Sequence, residues 1–474
     1  MACLKIIVYI FGVFMKLKKN QILDVEIIDI TNLGFGVAKV GGEVIFISDT
    51  IPGDVAQIKI IKVAQSYAIG RVEKLISLSA NRAERCPIRL CKACAYKCLS
   101  YDHEAELKEE AVRQIFKKAG LPEVEIGEII TSPETVGYRN KAQYPVSRDK
   151  DGKYMMGFYA PKSHRVCDAV DCPLAPAVFA DILREVREFL AKHNISTYDE
   201  ESGEGLLRHI YLRRGEVSCE VLLTVVINGT SLPHSDDLVE RITKKFPQVV
   251  GILTNENTED TNIILGDKYV TLFGRDYIFD TLAGVNLKIT APSFYQVNHD
   301  CAEILYAKAR ELAELHPDDL LLDLYCGAGS IGLSMAKDCR EVIGIEIVDS
   351  AVECARFNAE NNGINNASFY TGDAKDTEKL LAPAEAARGE KIMPDVVIFD
   401  PPRAGSDEKL LRHVAALNPR KIVYISCNPA TLARDMVVLK ELGYTGNIVF
   451  PVDMFPGTGH VESVVCLTRQ SDVI

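Results

Sequence analysis

The regular alternation of short apolar segments with helical stretches after residue 291 is the feature that most constrains the fold. The segments lie at Leu320–Leu324, Val342–Ile345, Ala367–Tyr370, Val396–Phe399 and Lys421–Ile425. Buried strands separated by helices form βαβ units, in which successive strands are parallel. Residues 291–474 are therefore predicted to form a doubly wound, Rossmann-like α/β domain. Within this domain, Leu381–Glu390 contains Ala, Glu and Pro and is predicted to be an exposed insertion.

The N-terminal part has a different pattern. Residues 16–75 contain short apolar strands at intervals of about ten residues, separated by glycine turns. This pattern predicts a small β-barrel of the OB-like kind. Barrels of this size bind single-stranded RNA in some proteins and are purely structural in others.

Residues 76–290 are predicted to form an α+β middle domain. A cysteine cluster is followed by a predicted helix over 102–119, which can pack on the C-terminal domain, and by a second over Ala177–His193. Alternating segments at Leu206–Leu212 and Cys219–Ile227 indicate an antiparallel sheet.

Length and composition exclude several classes of protein. The 474 residues suffice for two or three domains of roughly 150 residues each. A hydrophobic fraction of 47% and a charged fraction of 25% are typical of soluble globular proteins. The longest apolar run, Ile6–Met15, has ten residues, whereas a membrane-spanning helix needs about 20. We interpret Met15 as the start and residues 1–14 as an extension, and we expect a cytoplasmic protein without membrane contact.

The net charge of −12 is unevenly distributed. Residues 1–150 carry a net charge of +4 and the remainder carries −16. A basic N-terminal part could contact nucleic-acid phosphates, although most charge imbalances are only solvated surfaces. The charge pattern therefore leaves nucleic-acid binding open.

A glycine-rich loop at 323–332 is predicted to bind a nucleotide. The loop follows a strand and begins a helix, so its backbone N–H groups can approach a ligand closely. Gly327, Gly329 and Gly332 satisfy G-x-G-x-x-G, and Glu346 lies 19 residues after Gly327. A carboxylate there accepts hydrogen bonds from ribose hydroxyls. The loop alone fits either a dinucleotide or S-adenosylmethionine.

Two later motifs favour S-adenosylmethionine. Asp373 follows the third predicted strand, where a carboxylate can reach the adenine amine. The fourth strand ends in Asp400-Pro401-Pro402-Arg403. A dehydrogenase has no need of such a rigid loop, whereas methyltransferases use one to hold a flat base beside the methyl group.

A cysteine and a glutamate fit methylation of uracil. Cys427 follows the fifth predicted strand, so its thiol is expected at the same sheet edge. A buried cysteine is often only a small apolar residue. However, uracil C5 is a poor nucleophile, and a thiolate that adds to C6 activates it. The C5 proton must then be removed by a base, for which Glu462 is the candidate. The alternative is that Glu462 is an exposed strand carboxylate. His460 fits a packing or orienting role as well as it fits a catalytic one.

Together these motifs resemble the RNA 5-methyluridine (uracil-5-) methyltransferase family. The resemblance spans residues 16–470 and is closest to the TRAM-containing 23S rRNA (uracil-5-)-methyltransferases. It is carried by the segments Tyr325–Gly329, Asp400–Arg403, Ser426–Asp435 and His460–Glu462. It implies a TRAM-like barrel, an S-adenosylmethionine-dependent methyltransferase domain, Cys427 as the nucleophile and Glu462 as the base. The donor-binding positions that it implies are Gln296, Tyr325, Ser330, Glu346, Asp373 and Asp400.

The resemblance also implies an RNA partner. Large-subunit 23S rRNA is favoured over tRNA because the typical bacterial tRNA enzyme of the family lacks the barrel and the cysteine cluster. We expect a monomer. Two alternatives from other classes are a nicotinamide-dependent oxidoreductase and a non-catalytic RNA-binding protein.

The cysteines at 86, 91, 94 and 98 indicate a metal site. Such close spacing in a cytosolic chain favours a metal over disulfides, and both zinc and iron–sulfur fit. The family resemblance implies a [4Fe–4S] cluster held by Cys86, Cys91, Cys94 and Cys172. Cys98 and Cys167 could substitute as ligands. Because methyl transfer needs no electrons, the cluster is expected to be structural or to help hold RNA.

Overall fold

The computed structural model describes residues 16–88, 90–161 and 163–470, so the predicted extension and start at residues 1–15 lie outside the described residues. The described chain forms two compact units. The smaller contains residues up to 87 together with 93–104 and 457–459, and the larger contains the rest. Within the described ranges, no helix is long and apolar enough to cross a membrane. The predicted division of the chain at residues 75 and 290 stays a prediction.

The smaller unit contains a six-stranded sheet. Its strands are β1 (Ile22–Glu26), β2 (Asp29–Ile30), β3 (Phe35–Val40), β4 (Glu43–Ser48), β5 (Val55–Val63) and β6 (Ala68–Ser77). The strand order is β1-β5-β6-β4-β3-β2. Strands β1 and β2 are only two residues apart along the chain yet lie at opposite edges, so the sheet closes on itself. Apolar side chains such as Ile45, Ile47 and Ile58 fill its interior. The predicted small barrel is confirmed.

The segment 101–274 combines helices with a mixed β-sheet. Its elements are α1 (Tyr101–Lys118), β7 (Glu125–Ile126), β8 (Lys141–Arg148), β9 (Tyr154–Tyr159), β10 (Val166–Asp168), α2 (Ala177–His193), β11 (Leu207–Arg214), β12 (Val221–Ile227), α3 (Ser235–Lys245), β13 (Val249–Glu256) and β14 (Lys268–Gly274). Seven strands pair in the order β10-β9-β8-β11-β12-β13-β14, antiparallel except for β12 with β13. The apolar faces of α2 and α3 share one core with this sheet.

A hairpin and a helix follow. They are β15 (Tyr277–Leu282), β16 (Val285–Thr290) and α4 (His299–Ala313). Alternate residues of the hairpin are buried, and Leu287 and Ile289 belong to the same core as Leu305 of α4. The hairpin thereby fixes the position at which residues 291–298 begin.

The C-terminal part is a doubly wound sheet. Its elements are β17 (Leu320–Leu324), α5 (Ser330–Met335), β18 (Glu341–Glu346), α6 (Asp349–Asn361), β19 (Ala367–Thr371), α7 (Thr377–Arg388), β20 (Val396–Phe399), α8 (Glu408–Ala416), β21 (Lys421–Ser426), α9 (Pro429–Glu441), β22 (Tyr444–Thr445), β23 (Ile448–Val452) and β24 (Glu462–Arg469). The order is β19-β18-β17-β20-β21-β24-β23-β7, with β22 beside β24. Strands β17 to β21 are parallel and β24 is antiparallel to β21.

This topology confirms the predicted α/β fold. The strand order reverses between β17 and β20, and ligands of doubly wound sheets bind at that switch point, beyond the carboxyl ends of the strands. The segment predicted to be exposed, Leu381–Glu390, is exposed over most of its length, although Leu381 itself is buried in the core. Its residues up to Arg388 belong to helix α7. The Ala- and Glu-rich composition favours a helix.

Candidate active site

A cavity of about 700 Å³ opens at the carboxyl ends of the parallel strands. Its volume is in the range of ligand-binding cavities. All eight residues predicted to act in catalysis or donor binding line it: Gln296, Tyr325, Ser330, Glu346, Asp373, Asp400, Cys427 and Glu462. They come from seven different segments that only the folded chain brings together.

The glycine-rich loop between β17 and α5 has an unusual backbone. Tyr325 has φ of 64°, the left-handed region that is costly for a residue with a side chain. Gly329 has φ of 81° and directly precedes α5. The Gly327 N–H donates to Oε2 of Glu346 at 3.1 Å. This hydrogen bond fixes the loop beside Glu346, the carboxylate that the sequence predicts to accept hydrogen bonds from ribose hydroxyls.

The side chain of Asp323, in strand β17, fixes this loop through a hydrogen bond. Its Oδ2 accepts the N–H of Gly332 at 2.9 Å, and a Cβ at position 332 would lie 2.8 Å from the same oxygen. Position 332 therefore requires glycine, because any side chain there would clash with Asp323. Burial raises the pKa of Asp323 to about 7, with the Gly332 N–H opposing the rise and Asp400 and Glu346 contributing to it.

Cys427 and Glu462 lie at the ends of neighbouring strands. Ser426 of β21 pairs with Ser463 of β24 in antiparallel register, and Cys427 and Glu462 are the residues immediately beyond this pair. Glu462 is only 4% exposed, so the alternative of an exposed strand carboxylate is wrong.

Burial shifts the proton affinities of this pair. It raises the pKa of Glu462 to about 8, with Asp400 adding to the rise and Arg403 opposing it. Burial likewise raises the pKa of the Cys427 thiol to about 11, with further increases from Glu462 and Asp400. The pKa of Asp400 is raised by burial to about 7. The negative charges on this wall of the cavity are thus poorly compensated by the protein itself.

The Asp-Pro-Pro-Arg loop is tied to the segment that carries Cys427. The carbonyl oxygen of Arg403 accepts the side-chain N–H of Asn428 at 3.1 Å, while Asn428 Oδ1 caps α9 by accepting the Ala430 N–H. The Arg403 guanidinium also lies 3.5 Å from Nε2 of His460. The Asp-Pro-Pro-Arg loop, the Cys427 segment and the His460 segment are therefore in direct contact at the cavity.

The loop carrying Gln296 is held by residues that sequence reasoning missed. Asn140 Nδ2 donates to the Gln296 carbonyl oxygen at 2.8 Å. Arg213 Nη2 donates to the Ser293 carbonyl oxygen at 2.6 Å, and the Tyr295 hydroxyl donates to Asp280 at 2.9 Å. These contacts join residues distant in the sequence. Arg213 directly follows the predicted strand segment Leu206–Leu212, and nothing else in the sequence marks these residues.

The cysteines predicted to hold a cluster differ in burial. Cys91 is buried, whereas Cys86, Cys94 and Cys172 are half-buried. In the part of the chain that the structure describes, no group of three or more His, Cys, Asp or Glu side chains is arranged to bind a metal ion. The described arrangement therefore gives no support to the predicted cluster.

Comparison with known proteins places this site in a family. Residues 234–470 match the family described as tRNA (uracil-5-)-methyltransferase, and residues 16–72 match the TRAM domain. A protein of Bacillus cereus named as an uncharacterized RNA methyltransferase is 40% identical over 455 residues, which cover 95% of this chain and 97% of that protein. A Halalkalibacterium halodurans protein of the same description is 40% identical over 452 residues, covering 95% and 97%.

A solved structure agrees with these matches. The tRNA (uracil-54, C5)-methyltransferase of Pyrococcus abyssi, in complex with S-adenosyl-L-homocysteine, superposes with a TM-score of 0.75 at 27% identity. The match covers 94% of this chain and 100% of that chain. The chain therefore belongs to the tRNA (uracil-5-)-methyltransferase family of RNA methyltransferases and carries a TRAM domain in its N-terminal part.

Proposed function

We propose that this protein transfers a methyl group from S-adenosylmethionine to C5 of a uracil in RNA. The observation that carries the proposal is the position of Cys427 and Glu462 just beyond one cross-strand pair, in the same cavity as the glycine-rich loop. A thiol and a buried carboxylate are the two groups that this chemistry requires.

Gln296, Tyr325, Ser330, Glu346, Asp373 and Asp400 are proposed to hold the donor. The cavity fits such a ligand because the acidic side chains on this wall are buried, poorly compensated and suited to a cationic sulfonium. When bound, the donor supplies the methyl group to C5 and a positive charge that favours the Cys427 thiolate. The paired motifs at Asp400–Arg403 and Ser426–Pro429 argue against the nicotinamide alternative, since hydride transfer needs neither the rigid loop nor the thiol.

The protein residues act in a fixed order. The Cys427 thiolate forms a bond to C6 of the uracil, whose carbonyl groups are held by Gln296 and Arg403. The electron pair released to C5 forms the new bond to the methyl carbon, while the bond between that carbon and the donor's sulfonium sulfur breaks and S-adenosylhomocysteine leaves with its electron pair. Glu462 then takes the C5 proton, the C5–C6 double bond forms again, and the C6–sulfur bond breaks to release the thiolate. Cys427 is thereby regenerated, and Glu462 gives its proton to solvent.

We propose 23S rRNA as the substrate, with the TRAM domain as the supporting feature. A tRNA substrate is the second candidate, favoured by the similarity to the tRNA methyltransferase of Pyrococcus abyssi. We further propose that the protein acts in the cytoplasm as a monomer.

The test offers unmodified large-subunit rRNA and unmodified tRNA in parallel, with tritiated-methyl S-adenosylmethionine. Label in 5-methyluridine from rRNA is the expected result. Label from tRNA alone would keep the reaction and overturn the substrate. Absence of label from both, with intact donor binding, would favour a non-catalytic RNA-binding protein.

A matched pair of variants assigns the reaction to this site. Cys427→Ala should abolish transfer while donor binding persists, because the thiol is needed only to activate uracil. Cys219→Ala removes an exposed cysteine far from the cavity lining and should leave transfer unchanged.

The cluster at Cys86, Cys91, Cys94 and Cys172 stays a proposal from sequence alone. It is supported by the close spacing of three of these cysteines. Iron and sulfide analysis of protein purified without oxygen tests it, and stoichiometric zinc or the absence of metal would overturn it.

A further inference from the structure

Two further cations lie near Lys141, a residue of the cavity lining. Lys141 lines the cavity, and the charges of Arg213 and Arg139 act directly on its ammonium group. Lys141 of β8 and Arg213 of β11 are direct cross-strand partners. Side chains directly opposite each other lie on the same face of a sheet, and like charges in such a pair repel.

No described carboxylate compensates these charges. Among the residues that the structure describes, none of the three cations forms a salt bridge, although most arginines of this chain do. Arg213 is 1% exposed, and its Nη1 is buried without a hydrogen-bond partner. Nε of Arg139 is likewise buried and unpartnered. A folded chain that concentrates unpaired cations beside a cavity is arranged for an anionic ligand.

The remaining donors of Arg213 are already used. Nη2 bonds the Ser293 carbonyl oxygen, and both Nη2 and Nε bond the Tyr211 hydroxyl. Arg213 is thus fixed behind Lys141 and acts through its charge. Lys141, which is only partly buried, is the group that can touch a ligand in the cavity.

We propose that Lys141, supported by Arg139 and Arg213, forms a subsite for a backbone phosphate of the RNA at the target nucleotide. This inference rests on the proposed function, since it assigns the contact that anchors the RNA chain beside its reacting uracil. The cavity lining also carries Asp400, Glu346 and Glu462, which suit a cationic donor. The acidic side chains are therefore assigned to the donor, and Lys141 with its two supporting arginines to the phosphodiester.

The donor's carboxylate is the other anion that could reach Lys141, and the experiment separates the two. Full-length protein saturated with S-adenosylhomocysteine is titrated with unmodified rRNA and tRNA transcripts at several salt concentrations. Donor affinity is measured separately by calorimetry. The variants are Lys141→Met, which removes the charge, and Lys141→Arg, which retains it. Lys153→Met serves as the control because Lys153 is an exposed lysine in the turn between β8 and β9.

Lys141→Met is expected to weaken RNA binding about tenfold at low salt and to reduce the slope of log affinity against log salt by about 1. Lys141→Arg should restore both, and Lys153→Met should change neither. Burial and the two arginines lower the pKa of Lys141 to about 8. Wild-type affinity for RNA should therefore fall as pH rises through about 8, and Lys141→Arg should remove this dependence.

Three results would overturn the inference. Unchanged RNA affinity with weakened donor binding in Lys141→Met assigns the cations to the donor's carboxylate. Equal losses in Lys141→Met and Lys153→Met assign the effect to diffuse surface charge. Normal methyl transfer and an unchanged salt slope in Lys141→Met would contradict the phosphate subsite and leave the proposed function standing. By contrast, a reduced salt slope in Lys141→Met, with no transfer by wild-type protein, leaves the subsite standing and defeats the proposed function.

Discussion

Glu462 and Cys427 show how a few side chains obtain their chemistry from burial. Removing a carboxylate from water favours its protonated form, which raises its pKa. The rise to about 8 at Glu462 gives the proposed base a proton affinity near the working pH, where general bases are most effective. Burial raises the pKa of the Cys427 thiol and so favours its protonated form.

Glu462→Gln should stop the reaction after methyl transfer. The amide cannot accept the C5 proton, so the C6–sulfur bond cannot break by elimination. Turnover should fall by roughly 10²–10⁴-fold, and protein linked to methylated RNA should appear on a denaturing gel. Glu408→Gln changes an exposed glutamate at the start of α8 and should leave turnover intact. Free product without any adduct in Glu462→Gln would remove Glu462 as the base.

Adduct resolution should accelerate with rising pH. Only the ionised form of Glu462 accepts a proton, and its raised pKa places ionisation near pH 8. The rate should increase about tenfold per pH unit below 8 and level off above it. Rapid-quench measurement across pH 6–9 checks this, and a rate that is flat between pH 6 and 8 would contradict it.

At this scale the sequence predicts residues that belong to local motifs. Cys427, Asp400 and Glu346 each follow an apolar strand, so their common edge follows from the parallel sheet alone. Lys141 and Asp280 could not be predicted, because their roles depend on pairing between segments far apart in the chain.

Helix α1 is fixed to the C-terminal part of the chain by a buried ion pair. Lys108 Nζ lies 2.7 Å from Oδ1 of Asp453, and the two side chains are 1% and 0% exposed. The same ammonium donates to the carbonyl oxygen of Phe455, which lines the cavity. This element therefore positions part of the cavity wall from outside the parallel sheet.

Lys108→Met should destabilise the protein by about 3–5 kcal/mol, because it leaves the Asp453 carboxylate buried and unpaired. Denaturant unfolding measures the loss. Lys108→Met combined with Asp453→Asn should recover part of the stability, since no uncompensated charge remains. Equal stability of wild type and Lys108→Met would show that this pair makes no net contribution.

The glycine-rich loop should not tolerate a side chain at position 332. In Gly332→Ala, the added Cβ would lie 2.8 Å from Asp323 Oδ2 and 2.9 Å from Val342. We expect a loss of about 1–3 kcal/mol of stability and weaker donor binding, measured by thermal unfolding and calorimetry. Gly229→Ala meets only the flexible end of Leu206 and should be mild by comparison. A fully stable Gly332→Ala with normal donor affinity would contradict the tight packing.

Elements with a strong periodic pattern were predictable. The helix at Ala177–His193 has the same bounds in the structure because its apolar residues repeat on one face. By contrast, the predicted strand from Cys219 begins at Val221, since Cys219 adopts a left-handed turn conformation with φ of 59°. Turn geometry of this kind leaves little trace in a pattern of apolar residues.

The whole molecule has a net charge of −12 and is proposed to bind a polyanion. Attraction must therefore come from local groups of cations and not from the overall charge. The donor carries a single net positive charge and enters an enclosed cavity. Salt should consequently affect the two ligands very differently.

Raising the salt concentration from 50 to 200 mM should weaken RNA binding by roughly tenfold or more, because counterions compete for the phosphates. Donor affinity should change by less than about twofold, since buried charges are poorly screened. Parallel titrations of RNA and donor check this. RNA affinity that is insensitive to salt would contradict recognition through phosphates.

The position of β24 also has a consequence for when activity first appears during synthesis. Cys427 and the whole parallel sheet precede β24 along the chain, and Glu462 enters the sheet only when β24 pairs with β21 and β23. A nascent chain still lacking this strand would have its nucleophile but no base to release product. Under the proposed mechanism, insertion of β24 therefore couples completion of the fold to completion of the reaction cycle.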